Sequence, residues 1–327
     1  MHLKHKIIFT NLISSLLLLC LAQNVAGQTY PDRQISLVVP GATSGGMDVI
    51  ARALAERLAI TLKQSIVVEN KPGANGNIAA DIVAKSKPDG YTVLLGQTAQ
   101  FAINPALYQK IPFDPIKDFV PVVMLAEAPN IIFVASDSPY KTLSDIVKAA
   151  QSSSKTLDLA TPGNGTPSHL ISEIFQKASG TKFTHIPYKG VTAAITDLVG
   201  GRVAVMMSSV PSALGQIKSG KVRPIAVSSA KRIPILPNVP TIGESGYPGF
   251  NVGTWYGLFV PKGVSLSVVN ELNAAANLAI NSPAFKEKIF SEGGVVVGGD
   301  SKTFGNTVAN DYVVWNRIVK ESGAMID

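Results

Sequence analysis

The chain has almost no cysteine, and this excludes several kinds of chemistry. Cys20 is the only cysteine among the 327 residues, and it lies in an apolar stretch near the N-terminus. A single thiol cannot form an intramolecular disulfide. If a leader that contains Cys20 is removed, the remaining chain also lacks a thiolate for nucleophilic catalysis or for a zinc site.

Histidine is almost as scarce. Only His169 and His185 lie beyond the first five residues, and neither stands in a cluster of His, Asp or Glu with metal-ligand spacing. We therefore expect no metal ion and no cofactor. His169 falls within a helical pattern and His185 within a strand pattern, so both are predicted to be packing residues.

Charged residues are also few, at 16% of the chain, and the formal net charge of +7 is spread along it. The sequence has no run of five like charges and no alternation of basic with aromatic residues. Because nucleic-acid binding needs a clustered basic surface, we expect no nucleic-acid partner. A mild positive field instead favours the approach of small anions.

The first residues have the order of a secretory signal peptide. Two lysines form a basic head, an apolar stretch covers residues 7–22, and small residues end at Gly27. We expect residues 1–27 to be a leader cleaved near Gly27, with the rest of the chain exported to the periplasm. An uncleaved anchor and a lipidated Cys20 are the alternatives.

Short apolar runs rich in β-branched residues alternate with amphipathic segments along most of the remaining chain. In the segment that begins near Asp48, for example, Val49, Ala53 and Leu58 fall on one helical face. This alternation predicts an α/β fold with a largely parallel sheet and helices on both faces. About 300 residues exceed the usual size of one compact core, which predicts two domains.

The C-terminal part has a different pattern. Residues 250–261 are predicted to form one strand, residues 265–293 two helices, and residues 301–323 a last long helix. The proline-rich stretch 232–250 is predicted to be a loop that links domains.

Each half of the chain carries one strand–loop–helix unit of the same kind. The first is VVPGATSGGMDVIA, which begins at Val38, and the second is LATPGNGTPSHLIS, which begins at Leu159. A helix N-terminus has unpaired N–H donors and a partial positive charge, and glycines let a ligand approach the backbone. We therefore predict that the two loops bind one anion. The alternative is two tight turns, with Asp48 as a helix cap.

Neither loop has the pattern of a nucleotide site. The phosphate loop needs Lys and then Ser or Thr after its last glycine, where this chain has Met47 and Asp48, and G-x-G-x-x-G is absent from both loops. With no Lys or Arg in either loop, a carboxylate fits better than a phosphate. The centre of GATSG is Thr43, whereas a hydrolase elbow needs serine there. We therefore predict that the chain is not an enzyme.

Eight segments follow one another in a distinctive order, and they carry a family resemblance. They are YPDRQISLVVP, GGMDVIARALAERL, IVVENKPGANGNIAADIVAKSKPDGYTVLLG, INPALY, PGNGTPSHL, IPYKG, SAKRIPILPNVPTIGESGYPGF and WYGLFVPKG. Together they strongly resemble the Bug-type solute receptors, the periplasmic binding components of tripartite tricarboxylate transporters. The resemblance runs from about residue 30 to the C-terminus.

The resemblance implies a type II periplasmic binding-protein fold, in which two α/β lobes joined by crossing strands close on a ligand. On this basis we predict a first lobe at residues 28–125 and 251–327 and a second lobe at residues 126–250. The resemblance also implies that backbone N–H groups, hydroxyls and bridging waters hold a small carboxylate. The positions it assigns to ligand contact are Gly41, Ala42, Thr43, Ser44, Gly45, Gly46, Asp48, Gln97, Thr98, Asn164, Gly165, Thr166, Tyr188, Lys189, Gly190, Val191, Ser208 and Ser209.

Several positions depart from the family's usual pattern. Gly41 stands where members often have an aromatic residue, and Ser44 stands in place of a glycine. Gln100 and Phe101 replace a common Thr-His pair, and serines follow the VAVMM strand where an acidic or amide residue is common. The loss of the aromatic ring is expected to widen the pocket or loosen one wall, so these changes affect the expected ligand more than the fold.

The sequence thus predicts an exported, monomeric receptor that binds a small organic carboxylate and delivers it to integral-membrane transporter subunits. A receptor that senses a ligand for a signalling protein is the first alternative. A periplasmic serine hydrolase that uses Ser44 is the second.

Overall fold

The computed structural model describes residues 30–43, 46–152, 156–291 and 293–322, and the leader predicted at residues 1–27 lies outside them. Ten strands of one mixed sheet are present in that part of the chain. The strands are β1 (Ile35–Val39), β2 (Ile66–Asn70), β3 (Thr92–Gln97), β4 (Phe119–Ala135), β5 (Leu157–Thr161), β6 (Phe183–Pro187), β7 (Val205–Ser209), β8 (Val222–Val227), β9 (Gly253–Pro261) and β10 (Val295–Val296).

Helices cover both faces of this sheet. They are α1 (Gly46–Leu62), α2 (Asn77–Ala84), α3 (Asn104–Leu107), α4 (Leu143–Ser152), α5 (Pro167–Ser179), α6 (Val191–Val199), α7 (Val210–Lys218), α8 (Leu266–Ile280), α9 (Pro283–Ser291) and α10 (Ser301–Ser322), with a 3-10 turn at Ala74–Gly76 and a π-helix at Ala99–Ile103. Among the described residues, no helix combines the length and the hydropathy that crossing a bilayer requires.

Two groups of parallel strands flank an antiparallel centre. β2, β1 and β3 are parallel neighbours at one end of the sheet, and β6, β5 and β7 are parallel neighbours at the other. β9 and β4 join the groups through antiparallel pairs. Each parallel group and its helices form one α/β lobe, so the predicted two-lobed α/β fold is confirmed, with parallel pairing confined to the two arms.

The strand β4 is longer than the sequence pattern predicts. The pattern marks only residues 131–135, because Pro121 and Pro129 lack the N–H that a ladder needs. Pairing of β4 with β9 shifts register after Pro121 and again after Met124, and these irregularities accommodate the interruption. The first half of β4 pairs with β9 and the second half with β7 and β8, so this strand links the two lobes.

The hydrophobic core also divides between the lobes, with the last helix shared. In α10, Phe304 packs with the first-lobe cluster of Phe101 and Phe259, whereas Trp315 packs with second-lobe residues such as Phe175. The segment 102–107 packs in the same second-lobe cluster. These two segments therefore pack across the lobe division predicted from the sequence.

Gly96 in β3 is expected to be intolerant of even one added methyl group. A Cβ there would lie 2.5 Å from Phe101 Cε2 and 2.8 Å from Phe259 Cδ2, inside a buried aromatic cluster. Overpacking of this kind should lower the free energy of unfolding by about 1–3 kcal/mol in Gly96→Ala. Urea unfolding of Gly96→Ala and of Gly215→Ala in α7, each compared with the wild type, tests this expectation.

Gly215 is a matched control because nothing lies within 4 Å of a Cβ built on it. Alanine in this exposed helical position should raise stability by about 0.5–1 kcal/mol, since it restricts the unfolded chain. Equal effects of the two substitutions would contradict the packing argument.

Candidate functional site

The first-lobe loops meet at the carboxyl ends of β1, β2 and β3. Asn70 ends β2, and its Nδ2 donates to the carbonyl of Gly41, at a distance of 3.0 Å. A Cβ on Gly76 would lie 2.8 Å from Cβ of Pro40, so the loop after β2 touches the loop after β1. Because parallel strands end at one edge, this edge collects the first-lobe positions that the sequence singled out.

A network of buried side-chain amides holds the backbone at this edge. The side chain of Gln100 accepts the N–H of Gln97 through Oε1 at 3.0 Å and donates through Nε2 to the carbonyl of Asn75 at 2.8 Å. Asn104 donates to the same carbonyl and, at 2.6 Å, to Oδ1 of Asn77. Since each of these groups has a partner, the network can hold the ends of β3 and of the 3-10 turn in fixed positions.

Thr98 connects this edge to the crossing strand β9. Its side chain is fully buried, and its Oγ1 accepts the backbone N–H of Trp255 at 2.8 Å. The indole of Trp255 in turn donates to Oδ2 of Asp311 at 2.8 Å. Thr98 is therefore placed to hold the strands together, since its hydroxyl oxygen is already engaged within the protein.

The second-lobe loops meet in a corresponding way at the ends of β5 and β6. We call residues 162–166 the PGNGT loop. The N–H of Tyr188 donates to the carbonyl of Thr161 at 3.0 Å, and that of Gly190 donates to the carbonyl of Pro162 at 2.9 Å. Thr166 closes the loop by donating through Oγ1 to the carbonyl of Gly163 at 2.8 Å.

Several N–H groups predicted to hold a ligand thus have partners within the lobe. Besides Tyr188 and Gly190, Gly165 donates its N–H to Nδ1 of His169 at 3.1 Å, and Thr166 donates to the carbonyl of Gly163 at 3.4 Å. Gly165 is also buried, and a Cβ on it would lie 3.1 Å from Cδ1 of Leu107, the last residue of α3. By contrast, Asn164 at the loop tip is exposed.

The end of β7 brings Ser208 and Ser209 to the crossing strand β4. Ser209 is the register partner of Asn130, whose buried side chain accepts from Oγ of Ser168 at 2.6 Å. Ser208 is fully buried and donates to the carbonyl of Ser209, whereas Ser209 is half-buried. Ser209 is therefore the more accessible member of this pair, and its Oγ shares a hydrogen bond with Oγ of Ser212 at 2.8 Å.

A cavity of about 150 Å³ lies where the lobes and the crossing strands meet. Ile50 of α1 lines one side, Ser209 and Pro211 at the start of α7 line another, and Tyr256 of β9 forms part of its floor. The remaining lining residues are Ala126, Glu127, Ala128, Ile289 and Gly294. At this cavity α1 of the first lobe meets the start of α7 of the second lobe, and Ser209 is the predicted contact position that lines it in the described chain.

Glu127 is the charged residue among those that line this cavity in the described chain. Burial and then the neighbouring Asp311 raise the pKa of Glu127, and burial raises the pKa of Asp311. The two residues also line a second cavity of about 230 Å³ on the α10 side of the crossing strands. The Glu127 carbonyl lies near Gly294 on the first side, while its carboxyl interacts with Asp311 on the second.

A larger groove of about 490 Å³ lies elsewhere, between α5 and α10. Glu173, Lys177, Arg317 and Glu321 are among the residues that line it, and none of the predicted contact positions does. Because none of the predicted contact positions lines this groove, we do not assign the ligand to it.

The predicted contact positions thus differ in their burial and in their partners. Ser44 and Gly45 lie outside the described residues. Helix α1 begins at Gly46, so Asp48 lies in its first turn and does not precede the helix as a cap; its carboxylate accepts from Nε of Arg52 at 3.0 Å. Gly41 and Gln97 are half-buried at the first-lobe edge, and Val191 is half-buried at the start of α6. The exposed positions are Ala42, Thr43, Asn164, Lys189 and Gly190.

Sequence reasoning missed other residues of the site. Asn130 and Tyr256 lie on crossing strands, where neither glycine nor a loop pattern marks them, and Gln100 lies in the π-helix. His169 was predicted to be a packing residue, yet it also holds Gly165 through Nδ1. The proximity of His169 to the PGNGT loop was the available clue. Within the described ranges, no group of three or more His, Cys, Asp or Glu side chains could hold a metal ion.

Comparison with known proteins identifies the family of the chain. The model of the tripartite tricarboxylate transporter family receptor matches residues 50–324. The chain belongs to this receptor family. The receptor is 34% identical to Protein BugT of Bordetella pertussis over 307 residues, which cover 94% of each chain. The resemblance inferred from the eight segments is therefore confirmed.

Two solved structures from Rhodopseudomonas palustris are similar to the receptor over most of its length. Rpa4515 with adipate is 33% identical, with a TM-score of 0.74 over 90% of this chain and 98% of that chain. MatC with bound malate is 32% identical, with a TM-score of 0.70 over 89% of this chain and 100% of that chain.

Proposed function

We propose that this receptor binds a small organic carboxylate in the cavity between its lobes, beside Ser209 at the start of α7. The observation that carries this proposal is the cavity itself, because it joins α1, the crossing strands and α7 at one point. Malate in MatC and adipate in Rpa4515 are both carboxylates, which supports the same class of ligand here.

Helix N-termini supply the chemistry that a carboxylate needs. Ser209 precedes α7 beside the cavity, Gly190 precedes α6 outside the cavity lining, and neither helix has a side-chain hydrogen bond at its N-cap. The N–H groups of these first turns, to which Pro211 of α7 contributes none, therefore point beyond the helix ends with a partial positive charge. Hydrogen bonds to a charged group contribute about 1.5–3 kcal/mol each, so three to five can support micromolar binding, which needs about 8 kcal/mol.

Closure of the two lobes on the ligand is part of this proposal. Residues 28–125 with 251–327 form one lobe and residues 126–250 the other, with β4 and β9 as the hinge. Closure removes water from the cavity, which strengthens each hydrogen bond to the carboxylate. The closed form is then the one that a membrane partner recognises.

The cellular setting follows from the family. We propose that the leader is cleaved near Gly27, that the mature chain works as a monomer in the periplasm, and that integral-membrane transporter subunits receive its ligand. Family membership as a transporter receptor supports this setting over a separate signalling role. A pull-down with candidate membrane subunits, in the presence and absence of ligand, distinguishes the two.

We also propose that the ligand leaves unchanged. His169 and His185, the two histidines that could act as bases, are engaged by Gly165 and by Thr161, respectively. Neither is therefore positioned to activate a serine nucleophile. Product formation, or labelling of Ser44 by a serine-directed reagent, would contradict this part of the proposal.

A thermal-shift screen tests the carboxylate proposal directly. Malate and adipate at about 100 times their Kd should stabilise the folded receptor by about 2.7 kcal/mol, which raises Tm by about 4 °C. The corresponding diamides have the same shape without the charge and should produce no shift. Equal shifts with acids and diamides, or no shift with any small carboxylate once co-purified ligand has been removed, would count against the proposal.

A further inference from the structure

Two stacked histidines lie directly behind the PGNGT loop. His169 is in α5 and His185 is in β6, and their rings are nearly parallel, with centroids 3.9 Å apart and an angle of 7° between planes. Only 4% of His169 is exposed. Two imidazolium ions in this arrangement would repel each other, so the stack favours neutral rings.

The hydrogen bonds of His169 define which of its nitrogens carries the proton. The backbone N–H of Gly165 points at Nδ1, at 3.1 Å, so Nδ1 is an acceptor and holds no proton. In the neutral ring the proton then lies on Nε2, which is 3.8 Å from Oε1 of Glu173. The hydrogen bond at Nδ1 therefore fixes the tautomer of the neutral ring, with the Nε2 proton on the side of Glu173.

The same pair of rings holds both ends of the loop. His185 Nε2 is hydrogen-bonded to Oγ1 of Thr161 at 2.6 Å, and Thr161 is the last residue of β5 before the loop. Gly165, near the end of the loop, has a left-handed backbone (φ 69°) and relies on His169 for its N–H. A buried N–H without a partner is costly, so without His169 the turn at Gly165 loses its main support.

We infer that His169 is a positioning residue for ligand binding, whose unprotonated Nδ1 holds Gly165 and so fixes the conformation of the PGNGT loop, with Asn164 exposed at its tip. This inference rests on the proposed function, since it requires that the loop, which borders the crossing strand β4 through the hydrogen bond from Ser168 to Asn130, contributes to the same site. His169 itself does not touch the ligand. Its imidazole acts through the shape of the PGNGT loop.

The inference predicts a pH dependence with a defined sign. Burial, and secondarily His185, lower the pKa of His169 from 6.5 to about 4, and burial also lowers the pKa of His185. A loop that has left His169 lets the ring take up a proton more easily, so the attached loop is fully favoured above pH 6.5. Its advantage then falls as the pH drops towards 4, by at most about 30-fold at pH 5.

Other groups titrate near this ring and must be separated from it. Glu173 faces Nε2 from the same helix, and burial raises the pKa of Glu173; His185 faces the ring from β6. Thr161, which is hydrogen-bonded to His185, and Leu107, which lies beside Gly165, carry no charge. A variant that removes the titration of His169 and keeps Glu173 and His185 in place isolates the effect of His169.

Two substitutions separate the acceptor from the bulk of the side chain. His169→Phe keeps a ring that can stack on His185 but has no acceptor, and His169→Asn keeps an acceptor close to the position of Nδ1 but cannot titrate. With malate and adipate as probes, calorimetry at pH 7 should give at least a 10-fold weaker Kd for His169→Phe. His169→Asn should stay within about 3-fold of the wild type.

The pH profile provides the readout that a purely structural role would not change. From pH 7 to pH 5, Kd of the wild type should rise relative to Kd of His169→Asn, because the ionisation of the probe affects both proteins equally. Equal Kd for wild type and His169→Phe, or a pH-independent ratio of wild type to His169→Asn, would overturn the inference and leave the proposed function intact. Absence of binding by the wild type would instead overturn the proposed function.

A measurement on the unliganded wild type covers the case in which His169→Phe does not fold. Nitrogen-15 NMR at pH 7 should report His169 as neutral with the proton on Nε2, and hydrogen exchange should report a protected Gly165 amide. A proton on Nδ1, or a Gly165 amide that exchanges as fast as an exposed loop amide, would overturn the inference.

Discussion

Replacing Ser209 by aspartate is expected to weaken carboxylate binding by about 100-fold or more while leaving the fold intact. Ser209 lines the cavity between the lobes and is the N-cap of α7. Two like charges about 5 Å apart, at an effective dielectric constant of about 20, repel each other by about 3 kcal/mol. A carboxylate at this position therefore opposes the charge of the ligand, and titration calorimetry with malate and adipate measures the loss of affinity.

Aspartate is as good an N-cap as serine and interacts favourably with the helix dipole, so Ser209→Asp should keep or slightly raise Tm without ligand. Ser265→Asp is the matched control. Ser265 is the exposed N-cap of α8 and accepts the N–H of Val268, far from the cavity. Its affinity for the same probes should equal that of the wild type. Unchanged affinity in a folded Ser209→Asp variant would move the ligand away from α7.

The two arms of the fold could be predicted from the sequence because each strand there is short and each following helix is amphipathic. The apolar runs at residues 35–39 and 183–187 predict two strands, and the bounds of β1 and β6 agree with them to the residue. α7 was missed, because Pro211 in its first turn and Gly215 in its interior are residues that usually mark turns. The length of β4 was missed because its pairing depends on β9, more than a hundred residues away.

The candidate site could be predicted less completely than the fold. Glycines after β1 and β5 marked two loops that the structure places at the ends of the two parallel groups of strands, since local backbone freedom is visible in a sequence. Which N–H groups remain for a ligand depends on partners that the fold brings near. Gly165 is the clearest example, because its glycine suggested an open donor, whereas His169 and Leu107 enclose it.

The aromatic cluster under the first-lobe edge is where a core substitution should have the largest effect. Phe101 is fully buried in the π-helix that follows Thr98, and its ring stacks on Phe259 with centroids 3.8 Å apart and an angle of 11°. Phe101 also packs against Phe119 in a T-shaped arrangement, with ring centroids 5.1 Å apart. The ring thus packs between the crossing strands and the segment that carries Gln97 and Thr98.

Phe101→Ala should lower the free energy of unfolding by about 3–5 kcal/mol, since it removes a buried ring and leaves a cavity that rigid strands cannot close. The same change in Phe290→Ala, at a ring that is 41% exposed on α9, should cost less than about 1 kcal/mol. Urea midpoints at constant m-value give both numbers. Because Gln100 beside Phe101 holds the N–H of Gln97, the Phe101 variant should also bind the carboxylate probes more weakly. A small loss of stability, similar to that of Phe290→Ala, would mean that the π-helix is held by its amide network rather than by the aromatic stack.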